Sequence, residues 1–189
     1  MGAEDEGRIT RRDVLTRLSG GFAGITISTA LANITSAESG ATPAPLQHFS
    51  SSEGQLLEAL GEVLVPGAAE AGLVQYVDNQ LGRPDPLLFL KYMDYLGSYV
   101  EFYKQGLDSL ENRSRLLYRK SFLTLDTDQK VTLVREISQK NPVDWKGPPA
   151  PLFYFVVRND AIDVTYGTPE GFAKLGIPYM AMIEPPRQW

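Results

Sequence analysis

With 189 residues, 43% of them apolar and 10% aromatic, the chain has the composition of a single globular domain. Its net charge of −5 argues against nucleic acid, whose binding needs a basic surface. The absence of cysteine excludes disulfides, thiolate metal sites, cysteine-held iron–sulfur clusters and covalent c-type haem attachment.

In chain order, residues 18–31 (LSGGFAGITISTAL) form a weakly apolar run without charge. The run has the length of a signal-peptide core and is short of the roughly 20 residues that span a bilayer. Small-residue cleavage sites follow at Ala30-Leu31-Ala32 and Thr35-Ser36-Ala37, with cleavage expected after Ala37. Ahead of the run, Thr10-Arg11-Arg12-Asp13-Val14-Leu15-Thr16 resembles a twin-arginine (Tat) signal, of pattern Ser/Thr-Arg-Arg-x-Phe-Leu-Lys. It matches at the hydroxyl, at Arg11 and Arg12 and at Leu15, and departs at Val14 and Thr16. That resemblance implies delivery of an already folded protein to the periplasm. An ordinary secretory signal, an amphipathic N-terminal helix and an uncleaved anchor are the other readings. Residues 1–37 are thus expected to be a signal and 38–50, with GATPAP, an extended linker. Residues 51–189 then form a single helical domain, long enough to bury a core without a metal or disulfide.

Within that domain, Ser52 and Gln55 predict a capping box, followed by an apolar stripe of Leu56, Leu57, Leu60, Val63 and Leu64 that Pro66-Gly67 stops. Leu73, Val74, Val77 and Leu81 predict a second helix, closed by Gly82-Arg83-Pro84. A longer helix is expected from Pro86 to Leu110, and its aromatics Tyr92, Tyr95, Tyr99, Phe102 and Tyr103 fit core packing or, alternatively, a ligand or partner surface. Asp126 with Gln129 caps a helix through Val131, Val134 and Ile137, ended by Asn141-Pro142. Residues 152–164 carry strand-like residues but have the length and Pro-rich entry of a buried helix, and the helical reading is preferred. From Thr165 onward, clustered Gly, Pro and aromatics predict an irregular tail that needs a surface to lie against. The fold class is therefore mainly α: a compact helical domain with an irregular C-terminal tail.

Signals for chemistry are weak. The single histidine, His48, falls in the linker and reads as solvated, and one histidine cannot build a histidine metal site. Asp126-Thr127-Asp128-Gln129 lacks the glycine and distal glutamate of a calcium loop. Gly167, Gly171 and Gly176 do not have dinucleotide-fingerprint spacing. Asp160 and Asp163, three apart, read as solvated surface. No catalytic, cofactor-binding or metal-ligating residue is assigned.

The arginine pair, the block LLEALGEVLVPGAAEAGLVQYVDNQL and the ending VTYGTPEGFAKLGIPYM together resemble the gluconate 2-dehydrogenase subunit 3 family, the small subunits of bacterial flavin-dependent sugar and sugar-acid dehydrogenases. The most specific matches are Val65-Pro66-Gly67-Ala68 with Ala71-Gly72, and Tyr166-Gly167 with Gly176-Ile177-Pro178-Tyr179. The resemblance implies a non-catalytic partner of a flavoprotein of the glucose-methanol-choline type, which holds FAD and performs the chemistry. It further implies a multihaem cytochrome c, with haem c, as electron acceptor in some complexes. It implies co-export of the flavoprotein through the Tat translocase on this chain's signal.

On that reading the expected partner contacts are Tyr99, Tyr103, Tyr166, Phe172, Ile177, Pro178, Tyr179 and Trp189, from the aromatic helix and the tail. A free-standing periplasmic ligand-binding protein is the alternative, and an enzyme working through carboxylates alone is a third.

Overall fold

The computed structural model describes residues 45–178. The expectations about the signal (Arg11, Arg12, Leu15 and the cleavage site) and about Tyr179 and Trp189 lie outside the described residues.

Among the described residues there are six α-helices, two short 3-10 turns and no strand, so the mainly helical reading holds. Helices α1 (Ser51–Leu64) and α2 (Leu73–Leu81) form a first pair. The 3-10 turn Phe89–Met93 leads to α3 (Tyr99–Tyr118), and the turn Phe122–Thr124 leads to α4 (Thr127–Gln139). Helices α5 (Ala150–Tyr166) and α6 (Pro169–Lys174) complete the chain.

α5 is the hub. It packs against α1, α2, α3, α4, α6 and the Phe89–Met93 turn. Its sequence accounts for this, because Phe153, Val156, Val157, Asp160 and Ala161 are buried on several sides of the helix, as suits an element surrounded by others. The helical reading of this segment is therefore correct, and tertiary burial overrides its strand propensity. Its N-terminus is secured by a residue just beyond α4: Ala150 N–H donates to Asn141 Oδ1 at 2.7 Å. The core around α5 includes Leu57, Leu60, Leu73, Val77, Leu107, Leu110 and Phe122, all fully buried.

The caps sort correct expectations from displaced ones. Asp126 and Gln129 form the expected box on α4, with Gln129 N–H donating to Asp126 Oδ1 at 2.9 Å. The box on α1 lies two residues earlier than expected: Ser50 Oγ accepts from Glu53 N–H, and the Glu53 carboxylate accepts from Ser50 N–H at 2.7 Å. The run Ser50-Ser51-Ser52 offers several registers, and the one with a carboxylate in the third position forms. At the far end of α1, Gly67 has φ +92°, and its N–H together with that of Ala69 donates to the Glu62 carboxylate. The Pro66-Gly67 turn is thus tied by its own helix.

Three expectations are corrected. The stretch read as linker ends in fixed backbone, because Gln47, His48 and Phe49 N–H all donate to Asp78 at 2.8–3.0 Å and Phe49 is buried. His48 is accordingly not a solvated linker residue: its Nε2 is buried and lacks a hydrogen-bond partner among the described residues.

The single helix expected over 86–110 is broken. Asp94 takes a left-handed conformation after the 3-10 turn, and Ser98 starts a new helix by accepting from Glu101 N–H, which then runs on to Tyr118.

The region from Thr165, read as irregular, contains the end of α5 and the short helix α6, capped by Thr168 accepting from Gly171 N–H at 3.0 Å.

Candidate partner-binding surface

Asp160, read as solvated surface, is instead 1% exposed in the middle of the domain. The Tyr103 hydroxyl on α3 donates to Oδ2 at 2.5 Å, and Phe89 N–H donates to Oδ1 at 2.8 Å. Burial pushes the Asp160 carboxyl up to about 7; the two donors pull against that rise, and the nearby Asp163 charge adds to it. Burial, with the Asp160 charge behind it, pushes the Tyr103 phenol well up, so this hydroxyl remains a donor. Both Asp160 oxygens are occupied and closed to solvent. The arrangement is suited to fastening one segment to another, and it leaves no paired carboxylates open to a substrate.

The fastened segment is 87–93. Leu87 N–H donates to Gln80 Oε1 at 2.8 Å, Leu87 C=O accepts from the Tyr76 hydroxyl at 2.9 Å, and Phe89 N–H is held by Asp160. Leu88 and Leu90 enter the core and Phe89 packs half-buried against it, while Leu87, Tyr92 and Met93 are left exposed. Tyr92 is 66% exposed and Leu96 fully so; Leu87, Met93 and, from α5, Phe155 are also exposed. The Phe89 ring links Tyr92 and Phe155, with centroids 6.2 Å from the first and 5.3 Å, edge-on, from the second. The result is an apolar ridge on a firmly anchored turn. Lys91 at its border is paired with Asp85 at 2.8 Å. Arg158, one turn beyond Phe155, is exposed and without an ion-pair partner among the described residues.

A second feature is an open groove of about 610 Å³ between α1 and the Phe122–Thr124/α4 region. Ala59, Val63, Pro66, Leu123 and Val131 form its apolar walls, with Glu58 and Lys130 among its polar residues.

The expected contact residues divide. Tyr103 is corrected: it is fully buried and bonded to Asp160, so it offers no surface to a partner. Tyr99 is half-buried against Tyr95, and Tyr166 and Phe172 are half-buried. Ile177 and Pro178 are exposed. Of the aromatic group read over 92–103, Phe102 and Tyr103 belong to the core while Tyr92 faces solvent. Sequence reasoning missed Leu87 and Leu96 as surface residues because it placed them on the packing face of an uninterrupted helix over 86–110, and missed Phe155 because 152–164 was read as a buried helix.

A family model described as gluconate 2-dehydrogenase subunit 3 matches residues 51–184, from the first residue of α1 to beyond α6. The chain belongs to that family. The fastened Pro66-Gly67 turn and the caps of α4 and α6 fall within the match. Membership in the gluconate 2-dehydrogenase subunit 3 family is consistent with a small subunit of a dehydrogenase complex. No curated protein and no solved structure matches the chain. Among the described residues of this subunit 3 chain, no group of three or more His, Asp or Glu could hold a metal ion. No helix among them is long and apolar enough to cross a membrane.

Proposed function

We propose that the chain is the non-catalytic small subunit of a periplasmic flavin-dependent sugar or sugar-acid dehydrogenase. It assists folding and stability of a glucose-methanol-choline-type flavoprotein and carries it through the Tat translocase on its own signal, Arg11-Arg12. The FAD and the chemistry belong to the flavoprotein, and a multihaem cytochrome c takes the electrons in complexes that include one. The observation that carries this reading is the family match over 51–184. The exposed apolar side chains on an anchored turn, Tyr92 and Leu96 among them, accord with it as surface a partner can cover.

The test is purification of an epitope-tagged copy from its native host. Recovery with a flavin-containing protein is expected. Recovery of the tagged chain alone and monomeric, with the neighbouring flavoprotein exported normally after deletion of this chain, would overturn it.

The 610 Å³ groove favours a second reading, a free-standing periplasmic ligand-binding protein, because its volume lies in the range of small-molecule sites. Native mass spectrometry of the purified chain separates the two: a retained small molecule without a second polypeptide supports the ligand reading.

A further inference from the structure

We infer that residues 179–189 of this chain dock back into the groove between α1 and the Phe122–Thr124/α4 region, with Met180, Met182 and Ile183 against its apolar walls. The groove is thereby assigned to the chain itself, whether or not the chain serves a flavoprotein.

The first argument is where the described chain stops. After α6, Gly176, at φ +67°, donates its N–H to Ala173 C=O at 3.0 Å, and Ile177 N–H donates to Phe172 C=O at 3.1 Å. This is a Schellman stop, and it fixes the point from which residue 179 departs. That point lies close to the groove. A Cβ at Gly171 of α6 would stand 2.5 Å from Thr165 O, and a Cβ at Gly67 would stand 4.0 Å from Thr165 Cγ2. Thr165 therefore lies against both α6 and the turn whose Pro66 and Ala69 line the groove.

The second is length. The groove follows α1 from Pro66 back to Gln55, about 16 Å at the rise of a helix. The 11 residues beyond Pro178 reach about 36 Å when extended. That reach covers the crossing from α6 to Pro66 and the groove itself.

The third is composition. Ala59, Val63, Pro66, Leu123 and Val131 give the groove irregular apolar walls, and YMAMIEPPRQW brings two methionines and an isoleucine within four positions. Methionine is the side chain that adapts best to such walls.

The fourth is charge. Glu58 and Lys130 both line the groove, and neither has an ion-pair partner among the described residues. Glu184 and Arg187 supply one charge of each sign to meet them.

The chain has no cysteine, so engineered pairs report proximity without background. In the full chain, Val131→Cys in the groove is combined in turn with Met180→Cys, Met182→Cys and Ile183→Cys. Leu96→Cys, fully exposed on the ridge, is combined with the same three as the control. Each variant is equilibrated in a glutathione redox buffer, and the intramolecular disulfide is measured by non-reducing gel and intact mass. Circular dichroism melting confirms that the reduced forms are folded. At least one groove pair is expected to show an effective concentration tenfold or more above every control pair, and Arg187→Glu is expected to lower it several-fold.

Groove pairs that form no more disulfide than the controls overturn the docking. So do disulfides that join two chains and vanish on dilution, which make the groove a contact between copies. A small molecule retained by the full chain in native mass spectra and lost on Val131→Asp overturns it as well, since the groove then belongs to a ligand.

Discussion

The Tyr103 hydroxyl donates to Asp160 across 57 residues of sequence, and this buried contact joins α3 to α5 directly beneath the turn that carries Phe89. A buried carboxylate costs free energy unless its oxygens are satisfied, so the value of each donor is greatest here. Tyr103→Phe is expected to lower unfolding free energy by about 1–3 kcal/mol in urea titrations, since the ring still packs and one bond is lost. Asp160→Ala is expected to cost more, because it leaves both the hydroxyl and Phe89 N–H without an acceptor and opens a cavity.

Asp160 also gives the protein a definite pH response. Its carboxyl, near 3.9 in the unfolded chain, is pushed up to about 7 in the fold, first by burial. Below about pH 4 both states hold the proton. Between about 4 and 7 the unfolded chain releases a proton that the folded one keeps, so this group's contribution to stability falls as pH rises and levels off above 7. Comparing urea midpoints of wild type and Asp160→Asn across pH 4–8 isolates the effect. Wild type is expected to lose ground to the variant as pH rises.

Asp78 acts in the opposite sense. Burial alone would push its carboxyl up, but the N–H groups of Gln47, His48 and Phe49 outweigh that and hold it below the ordinary value. Its stabilisation is present above about pH 4 and is lost as pH falls through the lowered folded value. An asparagine there has one acceptor oxygen and directs its amide at a donor. Asp78→Asn is therefore expected to cost about 1–3 kcal/mol and to speed hydrogen exchange at 47–49 selectively.

Gly106 lies where α3 meets α5. A Cβ at this position would stand 2.2–2.3 Å from the Phe153 ring, which is fully buried and has little room to yield. Alanine improves helix propensity by about 1 kcal/mol, yet overpacking of this kind costs about 1–3 kcal/mol, so Gly106→Ala is expected to destabilise on balance. Gly61→Ala offers a contrast, because its nearest atom is the end of the Leu73 side chain, and a smaller loss is expected from thermal melting.

These positions show what was legible in the sequence. Helices α2, α4 and α5 follow from apolar spacing and local caps such as Asp126 with Gln129, interactions that close within a few residues. What was missed depends on partners far along the chain. Asp160 looks like surface beside Asp163 until α3 delivers Tyr103 and the turn delivers Phe89 N–H, the latter from 71 residues away. Asp78 likewise reads as an ordinary helical acid until residues 47–49 fold over it. The break at Asp94 has no proline to announce it, and once it was missed the outward-facing ridge could not be recognised. Family resemblance reached further than local chemistry at Val65-Pro66-Gly67-Ala68, a turn in which Gly67 takes a positive φ that favours glycine.

The central claim is that this chain serves a second polypeptide during export, and the fate of that polypeptide tests it most directly. Periplasmic and cytoplasmic fractions of the native host are assayed for a glucose-methanol-choline-type flavoprotein, by immunoblot and by flavin-dependent sugar oxidation. The comparison is between wild type, a deletion of this chain, and Arg11→Lys/Arg12→Lys. The account predicts that the flavoprotein is periplasmic in wild type and stays in the cytoplasm in both altered strains. Normal periplasmic flavoprotein and activity in the deletion strain would contradict it.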